Sequence, residues 1–397
     1  MTPEGGLSSL SRTVEITPEV LAWAIGEDAI PEGELAGKVG VTPGTVRDWV
    51  EGRGQPSRGQ FSRLVDALHR PRALFFLPTP PSAAGVPAQL RAAPGLVDHD
   101  LSSTERRLIR RARRLQREAG WLLEERVAHA INLPELHSSL PPAEAGFRLR
   151  DWIGVAVGEQ LAWENPYVAL REWRRVIDER GVSVLQLQLG GQGLRGFSLF
   201  DEYAPLIAVN TAYNAPARIF TIFHELAHLA ARSDSACAAF FGPDTTSTLL
   251  RLERWCEEVA SAALLPRDAI EREVRERLGP GEQPAQTFDQ VRRIAERFKV
   301  SIRAAAIRLI RLELAPVEVY GAVESRAQFV DRPQGGGGGG GRPTARKRLD
   351  EFGRRLPGLF LDAVEEGAIP MRDALDLVGI TTSQVDELRG LINSSGR

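Results

Sequence analysis

Cysteine is almost absent from this chain: Cys237 and Cys256 are the only two in 397 residues. A disulfide framework is therefore not indicated, and a reducing cytoplasm is the expected location. Lysine is nearly missing as well, present only at 38, 299 and 347, so the basic side chains are almost all arginine, a bias that follows genome composition more readily than function. No apolar run of about eighteen residues occurs, and the N-terminus lacks a basic-then-apolar signal pattern. Neither membrane insertion nor secretion is expected. Charge of one sign is lacking too: 50 Lys and Arg face 52 Asp and Glu, for a formal net charge of −2. Attraction to nucleic acid would have to come from a local patch. A hydrophobic content of 43% over this length is enough for two or three domains with real cores.

The most informative stretch that is present runs from Arg218 to Arg232, RIFTIFHELAHLAAR. Ile219, Phe220, Phe223, Leu226, Ala227 and Ala230 recur at helical spacing, which predicts a helix with His224 and His228 one turn apart on one face. Two imidazoles so placed can hold one divalent metal, and Glu225 beside the first can serve as general base toward a water there. Two histidines on a half-buried helix could instead be satisfied by backbone carbonyls. A second predicted helix, Thr248 to Pro266, supplies Glu253 and Glu257 one turn apart as candidate third ligands. Two histidines and one carboxylate leave an open position, the pattern of a catalytic rather than a structural zinc site.

In chain order, Glu15 to Gly26 reads as a helix, followed by two short helices, Pro31 to Gly40 and Thr42 to Gly52, about a turn at Gly40-Val41, and a closing helix from Gln60 to Leu68. Glu34-Leu35-Ala36, Val39-Gly40-Val41, Val46 and Trp49 give residues 13–78 a pattern that resembles the Xre/Cro-type repressor DNA-binding domain. The resemblance implies base reading by the start of the second helix, where this chain has Pro43, Gly44, Arg47 and Asp48. Pro43 and Gly44 offer a base edge no hydrogen-bonding side chain. Arg47, Arg53, Arg58 and Arg63 remain as candidate phosphate contacts for weak, salt-sensitive DNA binding, with a module kept for protein contacts as the alternative.

Residues 79–100 form a Pro- and Ala-rich stretch that reads as a linker, and 101–144 a basic helical connector. Seven arginines between Arg106 and Arg117 suit a nucleic-acid footprint, but Leu108, Ile109, Ala112, Leu115 and Ala119 equally suit a docked helix with a solvated face. Helices are expected over Pro142 to Ala156 and Tyr167 to Arg180. Three short strands follow over 182–189, 194–200 and 205–210. Further helices follow the second metal helix, with Arg303, Arg308 and Arg311 read as a solvated face. A glycine-rich linker at 333–343 then leads to a small helical C-terminal domain, 344–397.

A helix, three strands, Asn210, the Arg218-x-Phe220-Thr221-x-x-His224-Glu225-Leu226-Ala227-His228 helix and a Glu253-Arg254-Trp255-Cys256 helix ending in Leu264-Leu265-Pro266 resemble the ImmA/IrrE family of zinc metallopeptidases over residues 145–320. The resemblance implies a multidomain, mostly α chain with an α+β zincin-like peptidase core behind an N-terminal all-α helix-turn-helix domain. It implies one Zn2+ per chain, with another divalent metal such as Mn2+ as the alternative, held by His224, His228 and Glu253, and Glu225 as catalytic base. Where the family motif has Asn, this chain has Glu257, a second partner for a ligand histidine or a rival ligand. Pro205 to Asn210 is the candidate edge strand for extended substrate, with an internal strand as the alternative. His137, Tyr203 and Tyr213 are the candidate oxyanion donors. The expected substrate is an Xre-type repressor, in a stress or mobile-element response; the competing reading is a DNA-binding regulator whose metal site is a sensor or has lost activity. The sequence leaves the oligomeric state open.

Overall fold

The computed structural model describes residues 13–28, 30–68, 70–80, 101–190, 194–233, 235–238, 247–279, 285–327 and 344–394. Residues 81–100 and the glycine-rich linker at 333–343 lie outside the described residues. The rest fall into two units, 13–80 with 101–110, and 111–394.

In the first unit α1 (Pro18–Asp28), α2 (Glu32–Val39), α3 (Pro43–Val50) and α4 (Arg58–Leu68) precede a 3-10 turn at Arg72–Phe76. Gly40 ends α2 in the left-handed region, at φ 76°, where a side chain would be strained. Thr42 caps α3 by accepting from Thr45 N, and Pro43 follows at the first turn, which needs no amide hydrogen. Leu21, Leu35, Val46, Trp49, Leu64 and Phe75 make the core of this unit.

Ser102 and Glu105 exchange a capping box that starts α5 (Ser103–Glu125), and this helix passes from one unit into the other. Its stripe of Ile109, Ala112, Leu115 and Ala119 is buried. In the second unit α6 (Pro142–Ile153), α7 (Val157–Ala162) and α8 (Pro166–Glu179) lead into β1 (Ser183–Leu187), β2 (Leu194–Leu199) and β3 (Leu206–Asn210). There follow α9 (Ala215–Ala230), β4 (Ser235–Ala238), α10 (Ser247–Leu264), α11 (Arg267–Leu278), α12 (Phe288–Phe298), α13 (Ile302–Arg311) and α14 (Val319–Ala327). A mainly helical unit thus carries one small sheet, an α+β arrangement consistent with a zincin-like core.

The sheet order is β1-β3-β2-β4, with β1 parallel to β3 and β2 antiparallel to both β3 and β4. This corrects the edge-strand expectation for Pro205 to Asn210: β3 is bonded on both sides, and all five of its residues are buried. Its Leu-Ile-Ala-Val run is that of a strand covered on both faces, which alternation alone does not reveal. Behind the sheet α9 comes very close. A Cβ at Gly196 on β2 would lie 2.5 Å from Thr221 Cγ2 and 2.7 Å from Ala208 O, so only glycine fits there.

The C-terminal helices α15 (Ala345–Phe352), α16 (Arg355–Glu365), α17 (Met371–Val378) and α18 (Val385–Asn393) complete the second unit. Gly353, at φ 73°, separates α15 from α16. Helix α15 packs against β1, one of the two outer strands of the sheet.

Candidate functional site

Helix α9 starts at Asn214, whose side chain accepts from Ala217 N at 3.0 Å, and Pro216 lies in its first turn. From Thr221 to Ala230 every residue is buried, so the helix forms the middle of the unit. On one side Phe223 meets Trp173 of α8 edge to face, with centroids 4.8 Å apart. His224, Glu225 and His228 are 2%, 0% and 1% exposed.

Glu253 comes to the histidines from α10. Its Oε2 lies 3.1 Å from His224 Nε2, its Oε1 3.3 Å from His228 Nε2, and the two Nε2 atoms are 3.2 Å apart. Burial alone would raise the Glu253 carboxyl, but hydrogen bonds and charge from His224 and then His228 hold it down to about 2. It is a carboxylate throughout the neutral range. Among the described residues these three form a group able to hold a metal ion, with ligand atoms all within 4.8 Å of one another. Imidazole and carboxylate donors converging on one small volume suit a divalent cation such as zinc. Glu257, the alternative ligand, is exposed on the next turn of α10, and of the two carboxylates it is Glu253 that lies beside the histidines.

The placement of α10 depends on groups to which the sequence reading gave no such role. The last carbonyls of a helix have no partner within it, and here buried side chains supply them. Arg150 donates to Ala263 O (2.8 Å) and to Gln160 Oε1 (2.8 Å), and Gln160 donates to Leu264 O (3.1 Å) and Phe298 O (2.9 Å). Arg308 donates to Leu265 O at 3.1 Å and is 8% exposed. Its reading as a solvated side chain is corrected, because a cation at a helix C-terminus is better used inward. Burial lowers Arg150 to about 10, which still leaves it charged at neutral pH. At the front of α10, Trp255 Nε1 donates to Leu140 O at 2.8 Å.

Residues 177–310 match the Peptidase_M78 family, the IrrE N-terminal-like domain. The matched span runs from the end of α8 into α13 and contains His224, Glu225, His228 and Glu253. It supports a metallopeptidase of the ImmA/IrrE kind, and the IrrE N-terminal-like region holds the whole buried His-His-Glu group. No curated protein matches the chain.

The other expected site residues are dispersed. His137 bonds Ser139 Oγ (2.8 Å) at the surface, and the Tyr213 ring lies 5.4 Å from the Arg195 guanidinium. Arg47 pairs with Glu32 at 2.6 Å, and Arg53 with Asp48 at 2.8 Å and with Glu51. Arg63 donates to Val39 O, and Arg58 is exposed. Three of the four candidate phosphate contacts thus already have partners within the unit. On α5, Arg111 and Arg114 pair with Glu351 (3.4 Å) and Asp376 (2.9 Å) of the C-terminal helices, which favours the docked-helix reading there. A cavity of about 740 Å³ between α8 and the C-terminal helices is lined by Arg174, Asp178, Arg346 and Arg355 among others and includes none of the His-His-Glu group. No described helix is long and apolar enough to cross a membrane.

Proposed function

We propose that this chain is a zinc-dependent endopeptidase of the cytoplasm that cuts a transcriptional repressor of Xre type, as part of a response to stress or to a mobile element. The observation that carries the reading is the buried convergence of His224, His228 and Glu253 inside the region that matches a peptidase family. His224 Nε2, His228 Nε2 and a Glu253 oxygen would hold one zinc ion per chain. Zinc bound there supplies Lewis acidity toward a carbonyl oxygen and acidifies water. Glu225 takes the proton of the attacking water and passes it to the amine nitrogen as the peptide bond breaks. Burial of all four side chains keeps these groups in one geometry and limits bulk water.

The repressor as substrate rests on the ImmA/IrrE resemblance and on the helical N-terminal unit. Two modules of one helix-turn-helix type can pair, so residues 13–78 would recruit a separate Xre-type repressor; DNA binding by the same unit would be weak, since Arg47 and Arg53 are held by carboxylates. The test is incubation with candidate Xre-type repressors, with and without zinc, read by mass spectrometry. Single-site cleavage that needs zinc, is lost in Glu225→Gln, and slows on deletion of residues 1–78 is the expected result. Equal cutting of unrelated unfolded proteins would sink the repressor assignment and leave the peptidase one standing.

A further inference from the structure

Helix α9 ends directly after the second histidine of the metal group, and the manner of its ending bears on that histidine. Arg232 N donates to Leu229 O and Ser233 N to His228 O, both at 3.0 Å, with Arg232 in the left-handed region at φ 57°. This is the paired closure of a Schellman motif, a place usually taken by glycine. Arg232 is held there by its own side chain, which donates to Leu133 O (3.3 Å) and lies 5.0 Å from the Phe200 ring centroid. In such a motif the residue after the left-handed one commonly makes an apolar contact back to the last turn. Here that residue is Ser233, and the residue it folds back on is His228.

Among the described residues, the hydroxyl of Ser233 has two hydrogen-bond partners: His228 O at 3.1 Å and His228 Nδ1 at 3.3 Å. A carbonyl oxygen can only accept, and a hydroxyl has one proton. With that proton directed to His228 O, the oxygen has only lone pairs for Nδ1, so Nδ1 must carry the ring hydrogen. With a metal bound, the Nε2 lone pair would then be available on the side of His224 and Glu253, as ligation requires. The opposite tautomer would place a hydrogen on Nε2, directed into the ligand group.

We propose that Ser233 is a positioning residue of the metal site, whose hydroxyl fixes His228 as the Nδ1–H tautomer and so keeps Nε2 free to ligate. The proposal rests on the reading of His224, His228 and Glu253 as a metal site. Its test uses the full chain and zinc alone, titrated against a chromophoric chelator from pH 6 to 8. Ser233→Ala keeps the backbone closure and removes the hydroxyl; it is expected to weaken zinc binding about 10-fold or more. Ser233→Thr restores the hydroxyl and is expected to bind as the wild type does. In the zinc-loaded wild type the His228 Nδ1–H proton should give a slowly exchanging NMR signal that Ser233→Ala loses and Ser233→Thr keeps, a readout that mere loosening of the turn with equal effect in both variants would not produce. Zinc affinity and Nδ1–H signal unchanged in Ser233→Ala would overturn the proposal while the metal site stands. Absence of zinc binding in the wild type, or full binding by Glu253→Ala, would overturn both.

Discussion

At the scale of single residues, ligation and proton transfer are assigned to different side chains, and this makes them separable. On the proposed mechanism Glu225→Gln removes the base and leaves His224, His228 and Glu253 as they are, so the variant should bind zinc like the wild type and lose turnover by about 100-fold or more. Glu253→Ala should lose the metal, whereas Glu257→Ala, altering an exposed side chain, should retain it. Metal analysis of the three dialysed variants beside a peptide-cleavage assay checks this, and full zinc in Glu253→Ala would mean that the buried group is not the ligand set. The pairing of the two histidines was legible in the sequence because side chains one helical turn apart declare themselves in the spacing, whereas Glu253 was preferred to Glu257 only through the family resemblance. The roles of Ser233 and Arg308 were not legible. Each acts through a backbone path, the closure of α9 or the last carbonyl after α10, which appears only when the chain has turned back on itself.

At the scale of elements, the helices were legible because their apolar residues keep a 3.6-residue period; in the structure side chains of Thr42, Asn214 and Thr287 cap three of their starts. Strand position was not legible: β3 and an edge strand differ in what flanks them, not in their own residues. Four residues, Ser-Ala-Cys-Ala, are too few and too small to show a period, and β4 was missed. The helices behind the site are tied by one carboxylate whose behaviour can be tested by pH. Glu273 of α11 accepts from Arg277 at 2.7 Å and from Arg297 of α12 at 3.0 Å, while Arg297 also donates to Leu161 O at 2.8 Å. Burial pushes the Glu273 carboxyl up, but the two guanidiniums outweigh it and hold the group below its ordinary value. A depressed carboxylate contributes stability that is fully present above its unfolded value and lost as pH falls through the folded one. Glu273→Gln should therefore melt below the wild type at pH 7, and the gap should close on acidification through and below the usual glutamate range. A gap independent of pH would show that packing rather than charge is responsible.

At the scale of the whole second unit, the C-terminal helices are held to the peptidase-like core by polar contacts that reach one outer strand of the sheet. Asp350 O accepts from Arg174 Nη1 (3.0 Å) and Gln186 Nε2 (3.1 Å), so α15 is tied to α8 and to β1 at once. Asp178, near the end of α8, accepts from the amides of Arg354 (3.3 Å) and Arg355 (3.1 Å), and thereby caps α16 from a distant part of the chain. Burial pushes the Asp178 carboxyl up, and the amides of Arg355 and Arg354, with the charges of Arg174 and Arg355, offset part of that cost, since the first amides of a helix have no acceptor within it and carry its positive end. Helix α15 packs on β1, and the Arg174 guanidinium donates to Val184 O of that strand at 2.7 Å, so this edge strand is not left bare to pair with another molecule. Asp178→Ala removes the cap and should loosen the attachment by about 1 kcal/mol. Amide hydrogen exchange should then quicken over residues 345–393 and along β1 but stay unchanged over α9, because the metal helix is held by contacts that do not involve Asp178. Zinc binding should be intact and self-association should rise with protein concentration as β1 becomes available. Unchanged exchange over α15 to α18 would show that the remaining contacts hold these helices without the cap, and faster exchange over α9 would show that they brace the site itself.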